Sequence, residues 1–229
     1  MCASMEGNAI FALLKLGLAD ERIDRLAQRL LDWQWPDGGW NCDKKRQTQV
    51  SSFTETLLPL RALSLYSRST GHQEASVASE RAAEYFLQHR LFKRKSDGSV
   101  ISGDFLKLFY PYYWHYNILF GLKVLAEAGQ IDDPRCREAL AILDAKCLPD
   151  GGYPAEKKYY HVAEQPLLSS RLGRNEYETD EPLCDCRSAL GAQTGNLITV
   201  VAIFVRHWDE PTAVRAHQAP PTETELDGP

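Results

Sequence analysis

The stretch "WQWPDGGWNCD" at residues 33–43 holds three tryptophans around a Pro-Asp-Gly-Gly turn, and a cysteine and an aspartate follow it. Part of this stretch recurs. "LPDGGY" at residues 148–153 repeats the turn and its final aromatic, and "KSDGSV" at residues 95–100 is a weaker copy. The three Asp-Gly pairs are separated by 60 and 53 residues. Similar segments at regular spacing are typical of repeat proteins. The turn is therefore predicted to mark a structural repeat.

Two predicted helices precede each turn. The first is apolar on almost all sides, which indicates a buried inner position. The second is amphipathic, and we expect it to end at the Asp-Gly turn, because glycine tolerates the positive φ that closes a helix. The inner helices are predicted at residues 8–18, 54–66 and 116–129, and the outer helices at 20–34, 74–92 and 133–148. Strand patterns are few, so the predicted fold class is all-α, an array of helix hairpins with a shared core.

The repeat pattern does not extend over the whole chain. It is clear over residues 5–153 and weak over 154–207, and we predict one domain over residues 1–207. A further helix is predicted at residues 188–208. Residues 208–229 are polar and rich in proline, a composition that favours a disordered tail.

Composition and charge exclude several classes of function. The net charge is -5, and no basic stripe is interleaved with aromatics, so we expect no nucleic-acid partner. No apolar run reaches the roughly 18–20 residues that span a bilayer, and no export signal is recognisable. We therefore expect a cytoplasmic protein whose six cysteines are reduced thiols.

The first turn carries a family resemblance. Gln34, Asp37, Gly38 and Trp40 fit the pattern Q-x-x-x-G-x-W, and the chain resembles the QW-repeat proteins, which include the squalene-hopene and oxidosqualene cyclases. The β-subunits of protein prenyltransferases share the helix-pair repeat. The resemblance covers roughly residues 5–153. It implies an incomplete α/α toroid and an isoprenoid-related enzyme that acts on a prenyl-type substrate in a central apolar cavity. An open arc leaves inner helices exposed, which favours ligand burial or a homo-oligomer.

The acidic motifs of the terpene cyclases are absent from this sequence. It contains neither D-x-D-D nor D-D-x-x-D; "ETDE" at residues 178–181 lies in a polar segment, and "DDPRC" at residues 132–136 is better explained as a helix cap. Two alternatives to an enzyme therefore stay open. One is a non-catalytic helical-repeat protein that binds a hydrophobic ligand or a protein partner, and the other is a truncated, inactive relative.

Four polar residues at the entries of inner helices are candidate catalytic groups, since helix starts line one mouth of a toroid: Cys42, Asp43, Glu55 and His115. Protein prenyltransferases hold zinc with Asp, Cys and His, so the resemblance makes Cys42, Asp43 and His115 weak metal candidates. The alternative is structural, with packing, capping and ion pairing. "LCDC" at residues 183–186, with His161 and His207, is a second weak metal set. We predict no cofactor, with zinc or magnesium as the alternatives.

Aromatic residues are dense around the same helix entries. Aromatic faces stabilise carbocations, but they also fill ordinary cores. The residues predicted to bind substrate are Trp40, Phe53, Tyr112, Trp114 and Tyr116. Gln34 is predicted to hydrogen-bond a neighbouring repeat, and Trp40 to pack beneath the next outer helix.

Overall fold

The computed structural model describes residues 2–43, 50–109, 112, 115–148, 153–157 and 171–172. Its helices are α1 (Ala3–Lys15), α2 (Glu21–Trp33), α3 (Phe53–Thr70), α4 (Gln73–Gln88), α5 (Ile118–Glu127) and α6 (Arg137–Ala145). Two short 3-10 helices span Gly103–Leu106 and Pro134–Cys136. The strands β1 (Tyr153–Pro154) and β2 (Arg171–Leu172) pair antiparallel. Over these described residues the structure is mostly helical, and the predicted all-α class is confirmed for them.

Several predicted features fall outside the described residues. These are Trp114, His161, His207, the segments at 178–181 and 183–186, the helix at 188–208 and the tail at 208–229. Within the described part, every helix is too short or too polar to cross a membrane.

The six helices form three hairpins, α1–α2, α3–α4 and α5–α6. α1 packs on α3 and α3 packs on α5, while α2 contacts α4. The inner and outer assignments are confirmed for the second and third hairpins: every residue of α5 from Ile118 to Leu125 is buried. α2 buries only Ile23, Ala27 and Leu30. α1 lies at the edge of the inner row and leaves Met5 exposed.

The glycines that end helices are not those of the Asp-Gly turns, and that expectation was wrong. α2 ends in extended backbone at Gln34, before Gly38 is reached. The inner helices α1, α3 and α5 end instead at Gly17, Gly71 and Gly129, whose φ values are 68°, 74° and 75°. At α1 the Leu18 amide donates to the Leu13 carbonyl at 2.9 Å, the bond that defines a Schellman cap.

The predicted cap at "DDPRC" is confirmed. The Asp133 carboxylate accepts a hydrogen bond from the Arg135 amide at 2.8 Å, and Pro134 occupies the first position of the 3-10 turn that leads into α6. Proline suits this position because its missing N–H would have no partner there.

α1 and α3 approach each other most closely at a glycine. A Cβ atom added to Gly7 would lie 2.6 Å from the Pro59 nitrogen and 2.7 Å from the Leu58 carbonyl carbon. Both are backbone atoms, so no side chain is free to move aside. Pro59 lies inside α3 and brings no N–H group to this contact.

A buried ionic group joins α3 to α5. The Arg61 guanidinium donates to the Glu127 carboxylate at 2.5 and 2.7 Å, and the Lys123 ammonium donates to it at 2.5 Å. Burial acts to raise the pKa of Glu127, but the hydrogen bonds and charges of Arg61 and Lys123 outweigh it, and the pKa is lowered. The carboxylate is therefore ionised, and the inner row is held by charge as well as by apolar packing.

Gly7→Ala is expected to destabilise the protein. Alanine favours a helix by about 1 kcal/mol over glycine, but the added methyl group meets the backbone of α3. We expect a net loss of roughly 1–2 kcal/mol in the free energy of unfolding, measured by urea denaturation. Gly103→Ala is the matched control, because its Cβ would meet nothing within 4 Å. Equal stability of the two variants would contradict the close approach.

Candidate functional site

The turn at residues 34–40 is tied to the next repeat by its first residue. The Gln34 side-chain amide donates to the Gly38 carbonyl at 2.8 Å and to the Ala78 carbonyl of α4 at 2.7 Å. The predicted bond from Gln34 to a neighbouring repeat is confirmed. Gly38 has a φ of 97°. A Cβ there would lie 2.4 Å from the Arg81 carbonyl oxygen, so only glycine fits beneath α4.

Asp37 and Trp40 fix the other end of the same turn. The Asp37 carboxylate accepts from the Ser51 amide at 2.8 Å and from its hydroxyl at 2.5 Å. The Trp40 indole N–H donates to the Leu30 carbonyl of α2 at 2.9 Å, and its backbone N–H donates to the Thr56 hydroxyl of α3 at 3.0 Å. The Trp40 side chain is therefore a buried staple between the first two hairpins.

The segment "NCD" that follows is held by Asn41. The Asn41 amide donates to the Val50 carbonyl at 2.8 Å, and its oxygen accepts from the Asp43 backbone N–H at 2.9 Å. Between these two anchors, Cys42 is exposed. The loop therefore presents a fixed thiol at the surface, directly after the repeat turn.

Three side chains converge at this point, and we call Cys2, Cys42 and Glu55 the thiol–carboxylate cluster. One ligand atom of each lies within 4.8 Å of the other two. The predicted convergence of Cys42 with Glu55 is found, but the third member is Cys2, which the sequence did not indicate. No spacing motif marks Cys2, because it meets its partners only through the packing of α1 on α3.

Glu55 serves as a cap for the start of α1. Cys2 occupies the N-cap position but makes no side-chain cap bond. The Glu55 carboxylate accepts from the Ser4 amide at 3.1 Å and from the Ser4 hydroxyl at 3.0 Å. A negative group is favourable at a helix N-terminus because of the helix dipole. The alternative in which Glu55 pairs with a cation is not found, since no described lysine or arginine forms an ion pair with it.

The Cys42 thiol is not activated by this setting. Although the residue as a whole is exposed, desolvation of the thiol by the atoms around it raises the pKa of Cys42, and the nearby Glu55 carboxylate and Cys2 thiol raise it further. A raised pKa keeps the group protonated at neutral pH, and the protonated thiol is a poor nucleophile.

The other two candidate catalytic residues do not join the cluster. Asp43 is exposed and lines a pocket, with its backbone N–H bonded to Asn41. The His115 ring meets the Phe109 ring edge-on at 6.2 Å. Burial lowers the pKa of His115, and the charge of Lys157 lowers it further, so the imidazole is neutral at pH 7. Among the described residues, the predicted set Cys42, Asp43 and His115 forms no metal group.

The predicted substrate aromatics lie in packed surroundings. Phe53 meets Tyr116 at a centroid distance of 4.9 Å and Phe86 at 5.2 Å, and the Tyr116 hydroxyl donates to the Leu91 carbonyl at 2.6 Å. Tyr112 stacks on Phe120 at 4.4 Å. Neither Phe53, Tyr112 nor Tyr116 lines the pocket beside the cluster. These three side chains pack against other aromatic rings, as the core-packing alternative predicted.

An open pocket adjoins the cluster. Its volume is about 490 Å³, within the usual range for small-molecule sites. Trp33, Trp35 and Pro36 form an apolar wall, and Asn41, Cys42 and Asp43 bring polar groups to the same space. Comparison of the chain with protein-family models, curated proteins and solved structures gives no match.

Trp40→Ala is expected to lower the free energy of unfolding by about 3–5 kcal/mol, because it leaves a large buried cavity. Trp33→Ala is the matched control. The Trp33 side chain is 38% exposed and lies beneath the Arg29 guanidinium, and its loss should cost about 1 kcal/mol. Chemical denaturation measures both values. A near-zero effect of Trp40→Ala would overturn its role as a staple.

Glu55→Gln is expected to speed alkylation of Cys42. Removing the carboxylate charge lowers the pKa of the thiol, so more thiolate is present at a given pH. Site-resolved mass spectrometry across a pH series measures the alkylation rate of Cys42. The inflection of this rate against pH should move to lower pH. Exposed Cys147, which is not part of the cluster, is the internal reference in the same chain. Unchanged Cys42 profiles would refute the electrostatic coupling.

Proposed function

We propose that this chain binds an apolar, prenyl-type small molecule in the pocket beside the first Asp-Gly turn. The observation that carries the proposal is the composition of the pocket: a wall of Trp33, Trp35 and Pro36 lies next to polar Asn41 and Cys42. Such a site suits a molecule with an apolar body and one polar end. The family resemblance in the turn itself supports the same class of ligand.

The arrangement of the hairpins supports the α/α ring that the resemblance implies. α1, α3 and α5 follow one another as an inner row, and α2 and α4 are neighbours outside it. We propose that these hairpins form an arc of an incomplete toroid. In this proposal the ligand lies at the rim, beside the turn, because Phe53 and Tyr116 are occupied in packing with their neighbours.

Binding is favoured over catalysis for the chain without a metal ion. The Cys42 thiol is protonated at neutral pH, and the acidic motifs that start terpene cyclisation are absent. The second candidate function, an isoprenoid-related enzyme, is favoured by one observation. Cys42 belongs both to the pocket and to the thiol–carboxylate cluster, so an activated thiol there would face a bound ligand.

A binding assay tests the proposal. Farnesol and squalene serve as probes, and their affinities are measured by their equilibrium partition between the protein and solvent. In addition, mass spectrometry identifies any lipid that co-purifies with the chain. Trp35→Ala should weaken farnesol binding by about tenfold, since truncating an aromatic contact costs on the order of 1–2 kcal/mol. His115→Ala is the control, because His115 does not line the pocket.

Two outcomes would contradict the proposal. One is the absence of any saturable binding of either probe. The other is an equal loss of affinity in Trp35→Ala and His115→Ala, which would place the ligand elsewhere. Turnover of prenyl diphosphates or squalene by the metal-free chain would instead favour the enzyme.

A further inference from the structure

The thiol–carboxylate cluster gathers its atoms from three separate segments. Cys2 precedes α1, Cys42 follows the turn at residues 34–40, and Glu55 lies in the first turn of α3. The three ligand atoms lie within 4.8 Å of one another, and the Cys2 Sγ is 3.2 Å from a Glu55 oxygen. Neighbouring ligands of a tetrahedral zinc ion with Zn–S bonds of 2.3 Å are about 3.8 Å apart. A small rotation of the thiol side chains would therefore place all three atoms around one ion.

We propose that Cys2, Cys42 and Glu55 form a binding site for one thiophilic divalent cation of the zinc class. Two thiolates and one carboxylate are ligands that zinc accepts, whereas magnesium and calcium prefer oxygen ligands throughout. The site is defined by the geometry of these side chains and is independent of the proposed prenyl ligand. The site also differs from the Cys42, Asp43 and His115 set that the sequence indicated.

The charge of the cluster favours a cation. Glu55 is only 8% exposed, and its described partners are neutral donors: the Ser4 amide, the Ser4 hydroxyl and the Cys2 thiol. A buried carboxylate held by neutral donors is costly unless a positive charge lies nearby. The N-terminus of α1 supplies a partial charge. A divalent ion would supply the remaining positive charge and would also stabilise both thiolates.

Ser4 fixes the carboxylate in place for this role. Its amide and hydroxyl reach the two different oxygens of Glu55. Partners of this kind orient ligands and strengthen metal binding. When the ion binds, each thiol loses its proton to solvent, so two protons are released for each ion taken up. The Cys2–Glu55 hydrogen bonds are then replaced by the shared metal ion.

Three protein ligands leave a tetrahedral ion with one open position. Structural zinc sites have four protein ligands, whereas catalytic sites keep the fourth position for water or substrate. Cys42 is exposed and lines the pocket that adjoins the cluster. The fourth position is therefore available to water or to the polar end of a molecule in that pocket.

Cobalt titration of the full chain under reducing conditions tests the site. After treatment with a chelator, one equivalent of Co²⁺ should bind and give thiolate-to-cobalt charge-transfer absorption, and Zn²⁺ should displace it. Cys42→Ser should weaken binding by more than about tenfold, because it removes a ligand. Glu55→Gln should weaken binding while the sulfur absorption remains. Cys147→Ser, which changes an exposed thiol outside the cluster, should leave the affinity unaltered.

The pH dependence gives an independent readout. Apparent affinity should rise with pH by about tenfold per unit for each thiol that must lose its proton. Circular dichroism shows whether each variant keeps its helices, and exposed Cys42 is a position where serine should not disturb the core.

Three results would overturn the inference. They are no cobalt binding by the reduced chain, equal affinity in Cys42→Ser and Cys147→Ser, and binding without thiolate absorption. A disulfide between Cys2 and Cys42 in air, with no metal affinity after its reduction, would assign the thiols a redox role instead. The farnesol assay is run in chelator, so its outcome and that of the cobalt titration are separate.

Discussion

The hydrogen bonds of the turn at residues 34–40 set the position of the first two hairpins. Gln34 reaches α4, the Trp40 indole reaches α2, and Asp37 holds Ser51 immediately before α3. Each of these bonds is partly or fully removed from solvent, where an unmade bond is costly. Three helices are therefore fixed by a turn of seven residues. The position of Cys42 follows from it, because the loop that carries Cys42 leaves directly from Trp40.

Glu55 acts on two neighbouring groups, the start of α1 and the pair of thiols. As the cap of α1, it satisfies the Ser4 amide at a helix end that has no side-chain cap of its own. The same carboxylate lies beside two thiols, and its charge adds to the desolvation that raises the pKa of Cys42. The partial positive charge at the start of α1 offsets only part of the cost of burying this carboxylate. The two thiols beside it are what helix capping leaves unexplained.

The sequence was informative where a feature depends on local pattern. The period of apolar residues predicted all six described helices, and the Q-x-x-x-G-x-W spacing predicted the bond from Gln34 to the next repeat. Helix ends were less predictable. The Asp-Gly pairs suggested glycine caps for the outer helices, whereas the positive-φ glycines Gly17 and Gly129 follow inner helices. Two of the three members of the cluster were predicted. Cys42 and Glu55 follow a visible turn, whereas Cys2 reaches them only through the packing of α1 on α3.

The Arg61 side chain touches all three inner helices. From α3 it lies over the Phe11 ring of α1, with its guanidinium carbon 3.6 Å from the ring centroid, and it forms an ion pair with Glu127 of α5. Repeat proteins can unfold one unit at a time, because each unit contacts only its neighbours. Here, separating the second hairpin from the third would break the Arg61–Glu127 ion pair between α3 and α5 together with the apolar contacts of these helices. Because one side chain links all three hairpins, we expect them to unfold together and not one at a time.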